Sequence, residues 1–464
     1  MAFAEAKRIK AEGLSEVNSY SSYSNQFTIP DTRKTILLRV AVSGTCRCLV
    51  NGQFATFGQH TDFPRRKTYT ETDITPFCRA GINEIRIDVY FSGNAFSSHT
   101  DGSPGMIAEI IQGKSILLSS SEDWTAILDT RYAMGKREVL SSSLNYTFEY
   151  DANRTPELRN TINAGPFAVG GTLKKRPVPP PELGVLVRGK VLSLAQIYRE
   201  AAEFSSIGDC FDADRVVLSE HRANGISMLF DLGMEYAGLL TLDITAPAGT
   251  IIDIAHGEYL SGDHVRALFP GNRNFADRYI AMEGRNAFRH DFRRIACRFL
   301  ELHIIGRTNA VKVHMVGLTE VSIPGMECTS FTCSDVFFET AHKITADTLR
   351  LCLHEKFENC PWREQSICEY DARNQMLFGY PLWGNYKQAA EMLQLFADSV
   401  RESGHLVAAV PNAWDLVIPA YTFLWISAVR DYTMYSGSFT LFRHLKKQIR
   451  DMLNKILVKL LLLN

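Results

Sequence analysis

Apolar and polar positions alternate with a period of two through much of the first 320 residues, then switch to a helical period after Pro324-Gly325. In the first stretch, from about residue 35 to 130, residues 35–42 lead through Gly44 to 46–50 and an Asn51-Gly52 pair, which suits a tight hairpin. Residues 83–90 alternate cleanly, and 115–118 precede Trp124. Successive strand side chains point to opposite faces, so this pattern predicts a β-sandwich. A second unit shows the same habit: 226–231 reach Gly233, 238–244 precede Pro247-Ala248-Gly249, and 250–255 run up to His256-Gly257-Glu258. Another sandwich is expected there. Between the two lies Arg176-Pro177-Val178-Pro179-Pro180-Pro181, which favours extended polyproline geometry and predicts a linker.

In the helical part, Phe337, Ala341, Ile344 and Leu351 share one face of a first helix that Ser334 can cap. A second helix is expected to start near Asp371. A third spans 385–401 with Ala389, Met392, Leu393, Phe396 and Val400 inward, and a fourth runs from Pro419 to Tyr435 with Gly437 as its stop. The fifth carries Phe442, Leu445, Ile449, Met452, Ile456 and Leu460. Phe423 and Trp425 are assigned to the core. Long connections (357–370 and 402–418) alternate with short ones, so antiparallel neighbours bring both long loops to one end of the array, where a site belongs. Five helices with unmatched apolar faces do not close a large helical domain, and the tail simplifies to Lys and Leu. The expectation is multidomain β + α: a sandwich in 1–175, a linker and connecting helix in 176–209, a second sandwich in 210–325, and a truncated helical domain in 326–464.

Composition narrows the partner. Fifty Lys plus Arg nearly cancel 51 Asp plus Glu over 464 residues, so no net field recruits nucleic acid or an anionic membrane, and a neutral ligand is expected. The clusters Arg65-Arg66-Lys67 and Lys174-Lys175-Arg176 are read as solvated surface. Ten cysteines show no CxxC spacing; Cys46 and Cys48 share a strand face and Cys352 sits mid-helix, as small buried side chains in a reducing compartment do. A zinc set of Cys352, His354, Cys360 and Cys368 matches no standard spacing, and neither metal nor other cofactor is expected. The charged N-terminus and the lack of a long apolar run predict a cytoplasmic protein.

The chemistry concentrates in residues 359–371, Asn-Cys-Pro-Trp-Arg-Glu-Gln-Ser-Ile-Cys-Glu-Tyr-Asp. Arg363 offers a planar donor fork for vicinal hydroxyls, or it neutralises Glu358 or Glu369. Glu364, beside that cation and near Trp362, suits protonation of a leaving oxygen, or it is a solvated side chain. Asp371 is a sugar ligand or a favourable charge at a helix N-terminus. In the second long loop Trp414 and Asp415 suit stacking on a pyranose and holding its hydroxyls, with Trp414 as a hydrophobic plug the plainer alternative.

Cys360-Pro361-Trp362-Arg363-Glu364-Gln365, with Asp371-Ala372-Arg373-Asn374-Gln375-Met376-Leu377, resembles the catalytic-loop motif of bacterial α-L-rhamnosidases, glycoside hydrolase family 78. Val50-Asn51-Gly52 with Gly81-Ile82-Asn83-Glu84-Ile85 is similar to their accessory sandwich. Residues 231–238, His256-Gly257-Glu258 and Ala276-Asp277-Arg278-Tyr279 are similar to their second β-domain. The resemblance implies an (α/α)6 toroid that inverts and hydrolyses a terminal α-L-rhamnosyl bond without a metal. It implies Glu364 as general acid, and Asn359, Arg363, Asp371, Trp414 and Asp415 as substrate-binding residues. The family usually has Asp where Asn359 stands, which predicts altered sugar recognition. Its general base lies on a later part of the toroid, and Asp415 is a poor substitute, so weak or no turnover is expected of this chain. The expected partner is a rhamnosylated glycan, with a homodimer allowed. The alternatives are a carbohydrate-binding remnant or another (α/α)6 carbohydrate-active enzyme.

Overall fold

The computed structural model describes residues 3–14, 17–96, 102–167, 173–198, 207–211, 223–270, 273–326, 329–384, 386–412 and 415–462. The first unit is a sandwich of a seven-stranded and a six-stranded sheet. Asn51 and Gly52 both take positive φ (51° and 75°) and close a two-residue hairpin between Thr45–Val50 and Gln53–Phe57. Alternation then directs Ile36, Leu38, Val40, Cys46, Cys48, Ile85 and Ile87 into one core with Tyr23 and Trp124.

The second unit is one eight-stranded sheet built on two strands of 22 residues, Gly225–Ala246 and Gly284–Ile305. Gly233, expected to end a strand, instead sits at φ 90° in a register shift between Asp231 and Tyr236, and the strand continues through it. Before the shift it pairs with Lys190–Ile197, and after it with Lys312–Ser322. A Cβ on Gly238 would lie 2.4 Å from the Thr319 carbonyl oxygen, so that crossing requires glycine.

The region between the units differs from expectation. Glu182–Arg188 and Lys190–Ile197 are strands of the second sheet rather than linker and helix, and residues 199–206 lie outside the described residues. The basic clusters are only partly solvated. Lys67 and Arg176 are buried, because each guanidinium or ammonium meets an acid: Arg176 lies 3.1 Å from Glu355, Lys67 3.0 Å from Asp62, and Arg66 2.6 Å from Glu391. Arg176 also donates to the carbonyls of Val178 and Pro179, which pins the proline-rich stretch at the domain junction.

Five helices follow: α1 (Val336–Cys352), α2 (Glu369–Trp383), α3 (Lys387–Ala397), α4 (Pro419–Ser436) and α5 (Thr440–Leu462). Asp335, not Ser334, caps α1, its carboxylate accepting from the Phe337 N–H. The buried face of α1 is Ala346, Leu349 and Cys352, packed on Leu382 and Trp383; Phe337 and Ile344 stand 70% and 61% exposed. Cys352 ends the helix rather than sitting within it. Phe423 is also exposed, whereas Trp425 is fully buried and donates its indole N–H to the Leu393 carbonyl. Gly437, at φ 68°, terminates α4 as expected. Ala389, Met392, Leu393, Phe396, Leu445, Ile449 and Met452 form the helical core with Trp425. Asn385 and Cys328 fall outside the described residues, as do the side chains of Cys210 and Leu460. No described helix is long and apolar enough to cross a membrane.

Candidate active site

The two long loops meet at one end of the helical array. Ile367 pairs with Val410 and Cys368 with Ala409, so the segment that opens α2 and the loop before α4 are joined by a two-stranded ladder. Sequence placed these loops together through helix direction alone; backbone hydrogen bonds hold them there.

Within the first loop Asn359 is the organiser. Its side-chain oxygen accepts from the N–H groups of Cys360 (3.0 Å) and Ser366 (3.1 Å), and its amide donates to the Glu364 carboxylate. Its backbone N–H donates to the Ser366 carbonyl. The polar atoms expected to hold a sugar are therefore engaged by the loop itself. Gln365, at φ 51°, donates to the carbonyls of Pro361 and Arg294, and the Ser141 hydroxyl donates to the Arg363 carbonyl at 2.9 Å. Trp362 is buried against Phe275, Phe269 and Tyr259 at ring-centroid distances of 4.9, 5.2 and 5.9 Å. The second β unit thus anchors the loop by an aromatic plug.

Glu364 faces a cavity of about 190 Å³. One side is helical-domain chain: Ser366, Cys368, Ala408, Ala409, Asn412 and Tyr421. The other is β-domain chain: Ser142, Ser143 and Arg273. Asp371, half-buried at the start of α2, has its carboxyl pushed up by burial and by the neighbouring Glu364. Burial, with Asp371 adding repulsion, pushes Glu369 up to about 8, even though Arg373 opposes the rise.

The expected site residues divide. Asn359, Glu364 and Asp371 are brought together. Arg363 is exposed, its guanidinium 5.9 Å from the Trp362 ring centroid and near Glu258, while Glu358 is paired with Arg294 instead. Asp415 lies 2.6 Å from Arg401 with its side chain 76% exposed, on the surface rather than in the cavity. Trp414 lies outside the described residues.

Sequence reading missed the β-domain contribution. Glu235 and Glu258 form an acid pair beside Arg363. Burial and the Glu258 charge push Glu235 up to about 7, and burial also raises Glu258, against the pull of Arg363. Both residues stood within noted motifs, but nothing in their spacing shows that they meet. Arg273 carries no local signal at all. Among the described residues one group has metal-ligand proximity, His264, Glu301 and His303. Glu301 already accepts from both imidazoles, the Ser227 hydroxyl and the Val265 N–H, so hydrogen bonding accounts for the cluster. The set Cys352, His354, Cys360 and Cys368 forms no such group.

Two β-sheet units followed by paired helices, with the Glu364 carboxyl at a cavity between the helix-connecting loops, have the fold class of the helical-hairpin glycosidases. Residues 221–319 match the bacterial alpha-L-rhamnosidase concanavalin-like domain, and residues 326–459 match the bacterial alpha-L-rhamnosidase 6 hairpin glycosidase domain. The chain belongs to the bacterial α-L-rhamnosidase family, glycoside hydrolase family 78. An alpha-L-rhamnosidase of Formosa agariphila is 25% identical over 179 residues, covering 35% of this chain and 18% of that protein. The fold is similar to the GH78 rhamnosidase of Bacillus sp. GL1, with TM-score 0.85 and 18% identity over 97% of this chain and 69% of that one. It is also similar to the α-L-rhamnosidase of Dictyoglomus thermophilum, with TM-score 0.71 and 18% identity over 98% of this chain and 51% of that one. The chain thus spans only part of the length of these relatives.

Proposed function

We propose that the chain serves an α-L-rhamnosidase-type glycosidase, acting by inversion on terminal α-L-rhamnosyl residues of a glycan or glycoside. The observation that carries this reading is Glu364, oriented by the Asn359 amide at a cavity between two hairpin loops. The amide engages one carboxyl oxygen and leaves the other to carry the proton that a leaving oxygen needs. Inversion requires a second carboxylate about 6.5–9.5 Å away to activate water. Asp371 is a described acid whose carboxyl feels the Glu364 charge, and Asp415 is diverted to Arg401. A cytoplasmic setting is part of the proposal, supported by Cys46, Cys48 and Cys297 packed as buried free thiols.

The test is hydrolysis of an alkyl α-L-rhamnoside, with the product anomer followed by NMR. Activity that Glu364→Gln abolishes, with β-L-rhamnose released first, supports the reading; activity that survives Glu364→Gln removes Glu364 as the acid. A second reading, sugar retention without cleavage, is favoured by the commitment of Asn359 to its own loop. Calorimetric binding of rhamnose without turnover would select it.

A further inference from the structure

Among the described residues lining the Glu364 cavity, Arg273 is the only cation. It sits on the short antiparallel ladder of Leu268–Phe269 with Arg273–Asn274. The fold fixes this ladder from both ends. Asn274 donates its N–H to the Leu140 carbonyl at 2.9 Å and its side-chain amide to Glu138, while Phe269 packs on Trp362. The packing that holds the Glu364 loop therefore also holds Arg273.

Its charge differs from those of the arginines on the neighbouring eight-stranded sheet. Arg278 pairs with Asp253, Arg293 with Asp277, Arg294 with Glu358 and Arg298 with Asp231. Among the described residues Arg273 has no carboxylate partner. It lines the same cavity as Glu364 without forming an ion pair with it, which leaves room for a ligand between them. A rhamnosyl residue is a neutral deoxy sugar whose groups are hydroxyls and a methyl, so it offers a guanidinium no charge. The acid that protonates a glycosidic oxygen touches the leaving group as well as the sugar. A cation across the cavity is then matched by an anion on the leaving side.

We propose that Arg273 recognises a carboxylate on the leaving group, so that the preferred ligand is an α-L-rhamnoside of an acidic sugar, a uronate. This rests on the rhamnosidase-type reading above and extends it to the aglycone.

The experiment is calorimetric titration of the whole chain, at low ionic strength, with α-L-rhamnosyl-glucuronate and α-L-rhamnosyl-glucose of the same linkage. The uronate should bind about tenfold more tightly, the worth of one partly exposed charge-assisted contact. Arg273→Met should erase that preference, bringing the uronate down to the affinity of the neutral disaccharide in a protein that still melts cooperatively, and Arg273→Lys should keep part of it. Equal wild-type affinities, or a preference that survives Arg273→Met, would overturn the inference and leave the rhamnosidase reading standing. Loss of both ligands in a folded Arg273→Met protein would assign Arg273 to the rhamnosyl hydroxyls and also overturn it. Failure of the wild type to bind either disaccharide would remove the carbohydrate reading and the inference with it.

Discussion

The side-chain amide of Asn359 donates to the Glu364 carboxylate while its oxygen accepts two backbone N–H groups of the same loop. One residue therefore fixes both the backbone turn and the carboxyl that the turn presents. Asn359→Ala removes both functions, and leaving two N–H groups without an acceptor should cost about 2 kcal/mol. Asn359→Asp keeps the acceptor but sets a carboxylate against Glu364. Chemical denaturation should rank wild type above Asp at pH 7.

Trp362 joins the loop to the second β unit. Replacement by alanine empties a buried site lined by Phe269, Phe275 and Tyr259, and such truncations cost about 3–5 kcal/mol. Hydrogen exchange at residues 359–368 should rise with the loss of stability; unchanged exchange would mean that the plug does not hold the loop.

His60 reports on the junction between the first sandwich and the helices. It is fully buried, with Nδ1 3.4 Å from Glu355 and Nε2 3.8 Å from Glu391, while Arg176 faces it across Glu355. Burial disfavours the imidazolium, but the two glutamates outweigh burial and Arg176, and the pKa is raised. A raised folded-state value contributes stability that is complete below the unfolded value of about 6.5 and is lost as pH rises through the folded value. His60→Gln should remove this slope: from pH 6 to 8.5 the wild-type melting temperature should fall relative to the variant's.

Glu235 gives a second pH signature, in the second β unit beside Glu258. Its carboxyl, pushed up to about 7 by burial and Glu258, binds a proton more readily in the folded chain than in the unfolded one. The associated stability is present below the unfolded value and is lost as pH rises through about 7. Glu235→Gln, neutral at every pH, should match wild type near pH 4 and melt at a higher temperature than wild type at pH 8.5.

Much of the fold is legible in local pattern. Asn51-Gly52 closes a hairpin because both residues accept positive φ, and Gly437 stops α4 for the same reason. The inward residues of α3 and α5 follow from helical spacing, and the loop that carries Glu364 stands out by its chemistry. Errors arose where a neighbour distant in sequence chose the outcome. Phe337, Ile344 and Phe423 have core chemistry but lie on faces that no described element covers, and Lys67 and Arg176 have surface chemistry but are buried by acids from elsewhere in the chain.

The sequence by itself determined the period of each segment, the turns that bound it and the loop that bears the acid, because these depend on side chains a few residues apart. Only the tertiary structure decided that the Asn359 amide lands on Glu364, that Glu235 and Glu258 meet beside Arg363, and that Arg273 enters the same cavity. The last two are made across bulged strands and domain junctions, where a register shift of one residue turns a side chain to the opposite face. Local spacing carries no record of that choice.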